Sequence, residues 1–180
     1  MKTTIRKWFW AWNFDKEEQW LNDMAAKGLA LIDVGLCRYT FENTTPGEYA
    51  FRLELLNHPP EHKASKDYIS FVEETGAEYV GAVFRWVYFR KKTDTGAFDL
   101  YSDNRSRIQH LNRILLLLAV LMLLEFFLSA LRIYEYFRLR LTADIFIASL
   151  LMGFALLIGY GFGRIYLKKK RLQREDMLFE

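Results

Sequence analysis

The sequence predicts an α+β domain followed by a helical hairpin that crosses a membrane. Within about the first hundred residues, patterns with strand or helix periodicity follow as strand, helix, strand, strand, helix, strand and a short added strand. Two long apolar runs, 114–131 and 145–167, come after them. The first order is that of a ferredoxin-like βαββαβ plait, an antiparallel sheet with two helices on one face. The apolar runs predict two transmembrane helices, because a hydrocarbon core takes about 20 helical residues.

The first strand and helix are predicted from residues 7–28. The aromatic run 7–12 is typical of a strand. Asp15, with Glu18 three residues later, has the spacing of a capping box and predicts a helix start. Gly28 stands where a left-handed residue would end that helix. Between them, one apolar helical stripe is formed by Trp20, Leu21, Met24 and Ala25.

The next segments predict a β-hairpin. Residues 29–41 are expected to form one strand, bent or bulged at Gly35, because the second half of the segment alternates in polarity. Turn formers at 42–47 connect it to the alternating strand 49–55.

The rest of the domain predicts a helix and two strands. Residues 65–75 have helical spacing, and 79–90 are expected to form one long strand. A polar turn precedes 98–101, the short added strand. Ser102 and Asp103 are expected to cap a helix that continues into the first apolar run. We find no sequence repeat between the two halves of this domain.

Composition limits the class of protein. The chain of 180 residues is 52% hydrophobic, and its net charge of +3 is too small to indicate nucleic-acid binding. The single cysteine, Cys37, excludes an internal disulfide and fits a reducing compartment. No apolar stretch of signal-peptide length follows Met1, so we expect the domain to stay where it is made. The expected parts are a cytoplasmic domain (1–102), a juxtamembrane helix (103–113), the helical hairpin (114–167) and a basic cytoplasmic tail (168–180).

Basic residues predict the orientation of the hairpin. Cations next to membrane spans favour the cytoplasmic side, and acidic residues count for little. Cations are more numerous outside the hairpin than in its connection, so we expect both termini in the cytoplasm. The outer cations are Arg105, Arg107, Arg113, Arg164, Lys168, Lys169, Lys170, Arg171 and Arg174. The connection has Arg132, Arg138 and Arg140, balanced by Glu135 and Asp144.

Four residues of the apolar runs are candidates for a helix–helix interface. Glu125 lies near the middle of the first run, where a carboxylate costs roughly 2.5–3.5 kcal/mol. It marks either a functional contact or a residue paired with Arg132, seven positions on. Ala155, Gly159 and Gly163 recur every four residues, a spacing that lets helix backbones approach closely. This small-residue stripe fits either a partner or second copy, or the first run of the same chain.

No catalytic, cofactor-binding or metal-binding residue is predicted. The carboxylates near the first helix are explained as capping groups, and the histidines lack metal-ligand spacing. Tryptophans are expected in the core and on sheet faces, since no basic patch interleaves with them. Cys37 is expected to be a small buried residue. The carboxylates are Asp15, Glu17 and Glu18, and the histidines are His58, His62 and His110.

Several motifs together resemble a known family. The resemblance covers roughly residues 6–113, although Leu29 stands where many relatives have an aromatic residue. The motifs are Lys7-Trp8-Phe9-Trp10, Glu17-Glu18-Gln19-Trp20-Leu21, Gly47-Glu48-Tyr49-x-Phe51-Arg52-Leu53, Trp86-x-Tyr88-Phe89-Arg90 and Tyr101-Ser102-Asp103. They are similar to uncharacterised membrane proteins of Gram-positive bacteria, known as domain of unknown function 2812. The resemblance implies no activity and no residue roles. Frequent neighbourhood to genes for PadR-like transcription regulators implies a regulatory or envelope-stress role by association.

These observations favour a non-enzymatic protein of the cell membrane. The first hypothesis is a regulatory or ligand-sensing module that binds a cytosolic partner such as a PadR-like regulator. The alternative is an accessory subunit of a larger membrane complex, such as a transporter, recruited through Glu125 and the small-residue stripe. Enzymatic activity ranks last, because the sequence shows no nucleophile with a base, metal cluster or phosphate loop. The expected partners are the lipid bilayer and a protein or second copy, with no cofactor and no nucleic acid.

Overall fold

The computed structural model describes residues 2–101, 103–139 and 141–179, without the side chains of 176–179. The chain divides into two compact units, Met1–Ser106 and Arg107–Glu180. The first contains β1 (Lys2–Arg6), α1 (Phe14–Ala26), β2 (Leu29–Gly35), β3 (Arg38–Asn43), β4 (Tyr49–Leu55), α2 (Lys63–Glu74), β5 (Glu78–Val83) and β6 (Trp86–Lys92). Short 3₁₀ helices lie at Ala11–Asn13 and Thr93–Thr95. Two long helices follow, α3 (Asn104–Leu139) and α4 (Thr142–Phe179).

The strands of the first unit form two antiparallel sheets of three strands. Their orders are β1-β3-β2 and β4-β6-β5. The α+β class is as predicted. The single four-stranded plait is not confirmed, because each of the two predicted long strands folds back on itself as a hairpin.

The turns of these hairpins lack the residues that usually mark a turn. The β2–β3 hairpin turns at Leu36 and Cys37, and the β5–β6 hairpin turns at Phe84 and Arg85. Cys37 and Phe84 have φ angles of 55° and 56°, a region that glycine and asparagine normally occupy. Because apolar residues fill both turns, the strand pattern continues through them and predicts one long strand.

Three other boundaries differ from the predictions. Residues 7–10 follow β1 and form no strand, and a 3₁₀ helix comes next. Residues 98–101 form no strand either, and the side chain of Phe98 packs into an apolar core. Asp15 lies in the first turn of α1 instead of at its cap.

The start of α3 has the predicted capping contact: Asp103 accepts a hydrogen bond from the Ser106 N–H at 3.0 Å, as a capping residue does. Ser102 lies outside the described residues.

The first unit is a structural repeat that the sequence does not reveal. Strands and helix follow as β1-α1-β2-β3 in the first half-domain (2–43) and as β4-α2-β5-β6 in the second (49–92). A shift of 48 residues superimposes the helix-ending glycines, Gly28 on Gly76. The same shift relates the bulge between Leu31 and Asp33 to the one between Tyr79 and Gly81. It also pairs the fully buried Phe41 and Phe89, so the repeat extends to the cores.

The half-domains meet where β2 lies beside β5. A Cβ at Gly81 would lie 3.1 Å from Cγ1 of Val34, so glycine permits the close approach. A second contact lies nearer the start of β2 and β5. Arg90 of β6, which is the register partner of Glu78 in β5, donates a hydrogen bond to the Leu31 carbonyl of β2 at 3.4 Å. Both contacts occur in the same order along the two strands, so β2 and β5 run parallel. The turns of the two β-hairpins therefore lie at the same end of the unit.

Each half-domain has its own apolar core. The core under α1 takes side chains from both half-domains, since Phe51, Leu53 and Tyr88 join Leu21 and others. The core under α2 contains Leu56, Ile69, Val72, Ala77, Val87, Phe89 and Phe98. The first core thus depends on the second half-domain.

The second unit is a pair of long apolar helices. Ser129 of α3 is fully buried and donates to the Ala148 carbonyl of α4 at 2.9 Å. Arg132 binds Asp144 at 3.4 Å near the connection. Only 22% and 17% of the most apolar windows of α3 and α4 are buried. The helices are long and apolar enough to cross a membrane, and most of their apolar surface is not covered by protein.

The two helix-ending glycines provide a matched test of the repeat. Gly28 and Gly76 have φ angles of +79° and +84°, which cost an alanine about 1–2 kcal/mol. A Cβ at Gly28 would also lie 2.8 Å from the Thr44 carbonyl oxygen, whereas the nearest atom at Gly76 is Lys91 Cε at 3.8 Å. We expect Gly28→Ala to lower the free energy of unfolding more than Gly76→Ala. Denaturant unfolding in detergent, followed by tryptophan fluorescence, measures both; equal losses would contradict the close approach at Gly28.

Candidate functional site

A buried carboxylate connects the two half-domains. Glu17 lies on the buried side of α1, one helical turn before Leu21. Its Oε1 accepts a hydrogen bond from the Tyr39 hydroxyl of β3 at 2.7 Å and one from the Tyr88 hydroxyl of β6 at 2.6 Å. One oxygen therefore joins the first helix to both sheets. We call Glu17, Tyr39 and Tyr88 the bridging cluster.

The environment favours the uncharged forms of the bridging cluster. Burial raises the pKa of Glu17, and the hydrogen bonds from the two tyrosines offset that effect only in part. Burial first, and then the nearby Glu17 charge, also raise the pKa of both Tyr39 and Tyr88. The two phenols thus remain protonated donors. The Glu17 carboxyl is the group of this cluster whose charge changes at the lowest pH.

Polar side chains of α1 also bind the outer edge of β4. Asn22 makes a paired contact with Phe51: its Oδ1 accepts from the Phe51 N–H at 2.9 Å, and its Nδ2 donates to the Phe51 carbonyl at 3.1 Å. Glu18 accepts from the Leu53 N–H at 3.0 Å and lies 3.4 Å from the Arg52 guanidinium. These contacts satisfy backbone groups that an edge strand would otherwise expose.

The capping interpretation is therefore wrong for Glu17 and Glu18. Glu17 is buried in the bridging cluster, and Glu18 binds the β4 backbone. Asp15 is exposed and accepts from the Lys16 N–H at 3.1 Å. The signal for Glu17 was present in the sequence, because it lies four and eight residues before Leu21 and Ala25, on the apolar stripe.

The second half-domain contains another buried carboxylate and an open groove. Glu54 of β4 is 1% exposed and accepts a hydrogen bond from the Tyr68 hydroxyl of α2. In the same half-domain, a solvent-open groove of about 420 Å³ is lined by Pro60, Glu61, Lys66, Ile69, Ser70 and Tyr79. Its size is within the range of small-molecule sites, but it is not an enclosed pocket.

The histidines and Cys37 form no metal site among the residues described. His58 and His62 stack with ring centroids 4.2 Å apart, and Nδ1 of His62 accepts from the Ala64 N–H at 3.2 Å, which caps α2. Cys37 is half-buried in the β2–β3 turn. Within 2–101, 103–139 and 141–179, no group of three or more His, Cys, Asp or Glu residues is placed to hold a metal ion.

The four predicted interface residues lie in the helical pair. Glu125 of α3 is half-buried, and its Oε2 has no hydrogen-bond partner among the described residues. Arg132, its suggested partner, instead binds Glu135 at 2.8 Å and Asp144. Ala155 is 5% exposed.

The two glycines of the stripe have different surroundings. A Cβ at Gly159 would lie 3.4 Å from Sδ of Met122 in α3, whereas a Cβ at Gly163 would meet no atom within 4 Å. Gly159 thus faces the neighbouring helix of the same chain, and Gly163 borders open space. That a partner helix packs at Gly163 remains a prediction.

A family model matches residues 13–123, from the start of α1 into the middle of α3. The match covers more than half of the chain, and its description is a protein of unknown function, DUF2812. The chain belongs to this family. The matched segment includes the whole bridging cluster and leaves out β1, the aromatic segment before α1 and α4. No curated protein and no solved structure matches this chain.

The bridging cluster predicts a specific pH dependence of stability. The folded-state pKa of Glu17 is raised, so the folded chain binds this proton more tightly than the unfolded chain. The resulting stability is complete below the ordinary pKa of 4.5 and is lost as the pH rises through the raised value. We expect Glu17→Gln to remove this loss. The variant should gain on the wild type as the pH rises, by about 1.4 kcal/mol for each pH unit that separates the raised pKa from the ordinary one.

Controls separate this effect from simple loss of contacts. Glu17→Ala leaves two buried hydroxyls unpaired and should destabilise at every pH, by about 1–3 kcal/mol for each hydroxyl. Asp23→Asn, which removes an exposed carboxylate of the same helix, is the matched control. Unfolding midpoints from pH 4 upward measure all three; parallel profiles for Glu17→Gln and the wild type would contradict the raised pKa.

Proposed function

We propose that this chain is a two-span membrane protein whose α+β unit is a regulatory module in the cytoplasm, acting through binding and without catalysis. The observation that carries the proposal is the exposed apolar surface of α3 and α4. Leu123, Phe127 and Leu156 are 63%, 60% and 70% exposed, and many more apolar side chains of both helices are similar. In water this surface would favour aggregation, whereas lipid accommodates it.

The charges support an orientation with both termini in the cytoplasm. Cations flank the outer ends of α3 and α4, as the positive-inside rule requires of the cytoplasmic side. The connection has fewer cations, namely Arg132, Arg138 and Arg140, and Arg132 is paired with both Glu135 and Asp144. Arg138 is exposed, and Arg140 lies outside the described residues.

A binding role for the α+β unit is supported by how its polar groups are used. Its buried carboxylates hold helices to strands, and its groove is open to solvent. Such an open surface suits a protein partner better than a small molecule, because small-molecule sites are largely enclosed. The family association with PadR-like regulators makes a transcription regulator of that class the partner that we propose to test first.

The single cysteine tests the orientation directly. Cys37 lies in the α+β unit, so a membrane-impermeant maleimide should label it only after the cells are opened. In a Cys37→Ser, Leu141→Cys variant, the cysteine lies at the exposed connection between α3 and α4 and should be labelled in intact cells. Labelling of Cys37 in intact cells, or protection of Leu141→Cys there, would contradict the proposed topology.

An accessory-subunit role is the alternative, and the open space at Gly163 favours it. A Cβ at Gly163 would meet no atom of the described residues within 4 Å, so Gly163→Leu should block a neighbouring helix without disturbing the α3–α4 pair. Gly153→Leu is the matched control, because Gly153 also borders open space but lies off the stripe. If another membrane protein recruits this chain through the stripe, Gly163→Leu should abolish co-purification and Gly153→Leu should not. Co-purification that survives Gly163→Leu would reject this alternative.

A further inference from the structure

Exposed apolar side chains of the first unit gather at the end where the β-hairpins turn. Leu36 and Phe84, 66% and 79% exposed, are the first turn residues of the β2–β3 and β5–β6 hairpins. These turns lie at the same end because β2 and β5 run parallel. The two residues are also equivalent under the 48-residue repeat. Both half-domains thus present an apolar residue at the same end.

The segment that follows β1 adds tryptophans at this end. The Lys7 N–H donates to the Cys37 carbonyl at 3.2 Å, which fixes the segment beside the first turn. Trp8 and Trp10 come next and are 57% and 36% exposed. Their rings contact each other edge to face, with centroids 5.3 Å apart. We define residues 6–10, 36–38 and 84–85 as the hairpin-end surface.

The charges of the hairpin-end surface are all positive. Arg6, Lys7, Arg38 and Arg85 are its charged residues. Arg38 is paired with the neighbouring Asp33 at 3.1 Å, while the side chain of Lys7 lies over the Phe9 and Trp20 rings. Tryptophan with other apolar side chains and flanking cations is the composition that favours the interface of an anionic bilayer.

The backbone conformation at Phe84 is strained. Phe84 has a φ of 56°, which is unfavourable for a bulky residue and usual for glycine or asparagine. An exposed aromatic side chain gains nothing from the protein core in return. Such strain at an exposed position points to a contact outside the chain.

We propose that the hairpin-end surface docks on an anionic lipid surface, with Trp8, Trp10, Leu36 and Phe84 in the headgroup region and the arginines and lysine at phosphates. The inference rests on the proposed function, since the two spans tether the unit to a bilayer. Residues 98 and 100 pack on the unit, and the first apolar run begins at residue 114, so residues 101–113 alone connect the unit to the first span. A short tether keeps the local concentration of lipid high, and docking then needs little intrinsic affinity.

Tryptophan fluorescence of the full chain reports on this surface. All five tryptophans lie in the first unit, at positions 8, 10, 12, 20 and 86. The chain is reconstituted into vesicles of phosphatidylcholine alone or rich in phosphatidylglycerol, with lipids brominated near the headgroup as contact quenchers. We expect strong quenching in the anionic vesicles and weaker quenching in phosphatidylcholine or at high salt. Each cation that contributes to docking should change the ratio of docked to free protein by about fivefold.

Variants identify the residues responsible. Leu36→Asn with Phe84→Asn should remove most of the quenching while all tryptophans remain, and asparagine tolerates a positive φ, so the fold should persist. Phe71→Asn is the matched control, because Phe71 is 62% exposed on α2, outside the surface. It should leave quenching unchanged. No quenching in anionic vesicles, or equal quenching in both variants, would overturn the proposal.

Two further outcomes are distinguishable. If the chain floats with vesicles after an alkaline wash but is not quenched, docking is rejected and the membrane-spanning proposal stands. If it does not float, both are rejected. If Leu36→Asn with Phe84→Asn abolishes co-purification of a protein from membranes while vesicles do not quench, the surface binds protein instead of lipid.

Discussion

The arrangement of the α+β unit depends on one carboxylate oxygen. The two sheets are separate hydrogen-bonded ladders, and β2 and β5 meet side by side. Glu17 accepts from a tyrosine of each sheet, so α1 is fixed to both. A buried carboxyl group is unfavourable without partners, and two phenols supply them. The same contact that joins the half-domains therefore also makes the burial of Glu17 tolerable.

Helix α1 also contacts the edge strand of the second sheet, β4. Asn22 and Glu18 bind backbone groups of β4 that no neighbouring strand takes up. The helix thus acts as a cover for an edge that would otherwise invite pairing with another chain. The helices of the two structurally equivalent half-domains therefore pack differently. The first contributes a helix to the second, while α2 packs on the core of its own half.

The sequence predicted the helices of this unit and β4 because their patterns arise locally. Leu21 and Ala25 show the period of α1, and glycine ends it. The plait prediction failed because two turns were not recognised. Leu36–Cys37 and Phe84–Arg85 contain no glycine, proline or asparagine, so each hairpin was predicted as one long strand. The bridging cluster was missed because Glu17 also satisfied a capping pattern. Its partners Tyr39 and Tyr88 lie 22 and 71 residues away, and no local rule predicts a contact across such distances.

The small-residue stripe of α4 shows how one sequence pattern covers two physical situations. Close helix packing requires small residues, but the requirement is the same whether the neighbour is the same chain or another. Spacing alone therefore left both interpretations of Ala155, Gly159 and Gly163 open. The surroundings separate them: Ala155 is buried and Gly159 faces Met122, so these two positions are occupied by α3. Among the described residues Gly163 has no such neighbour, so of these three positions it is the one that leaves room for a helix from outside the chain.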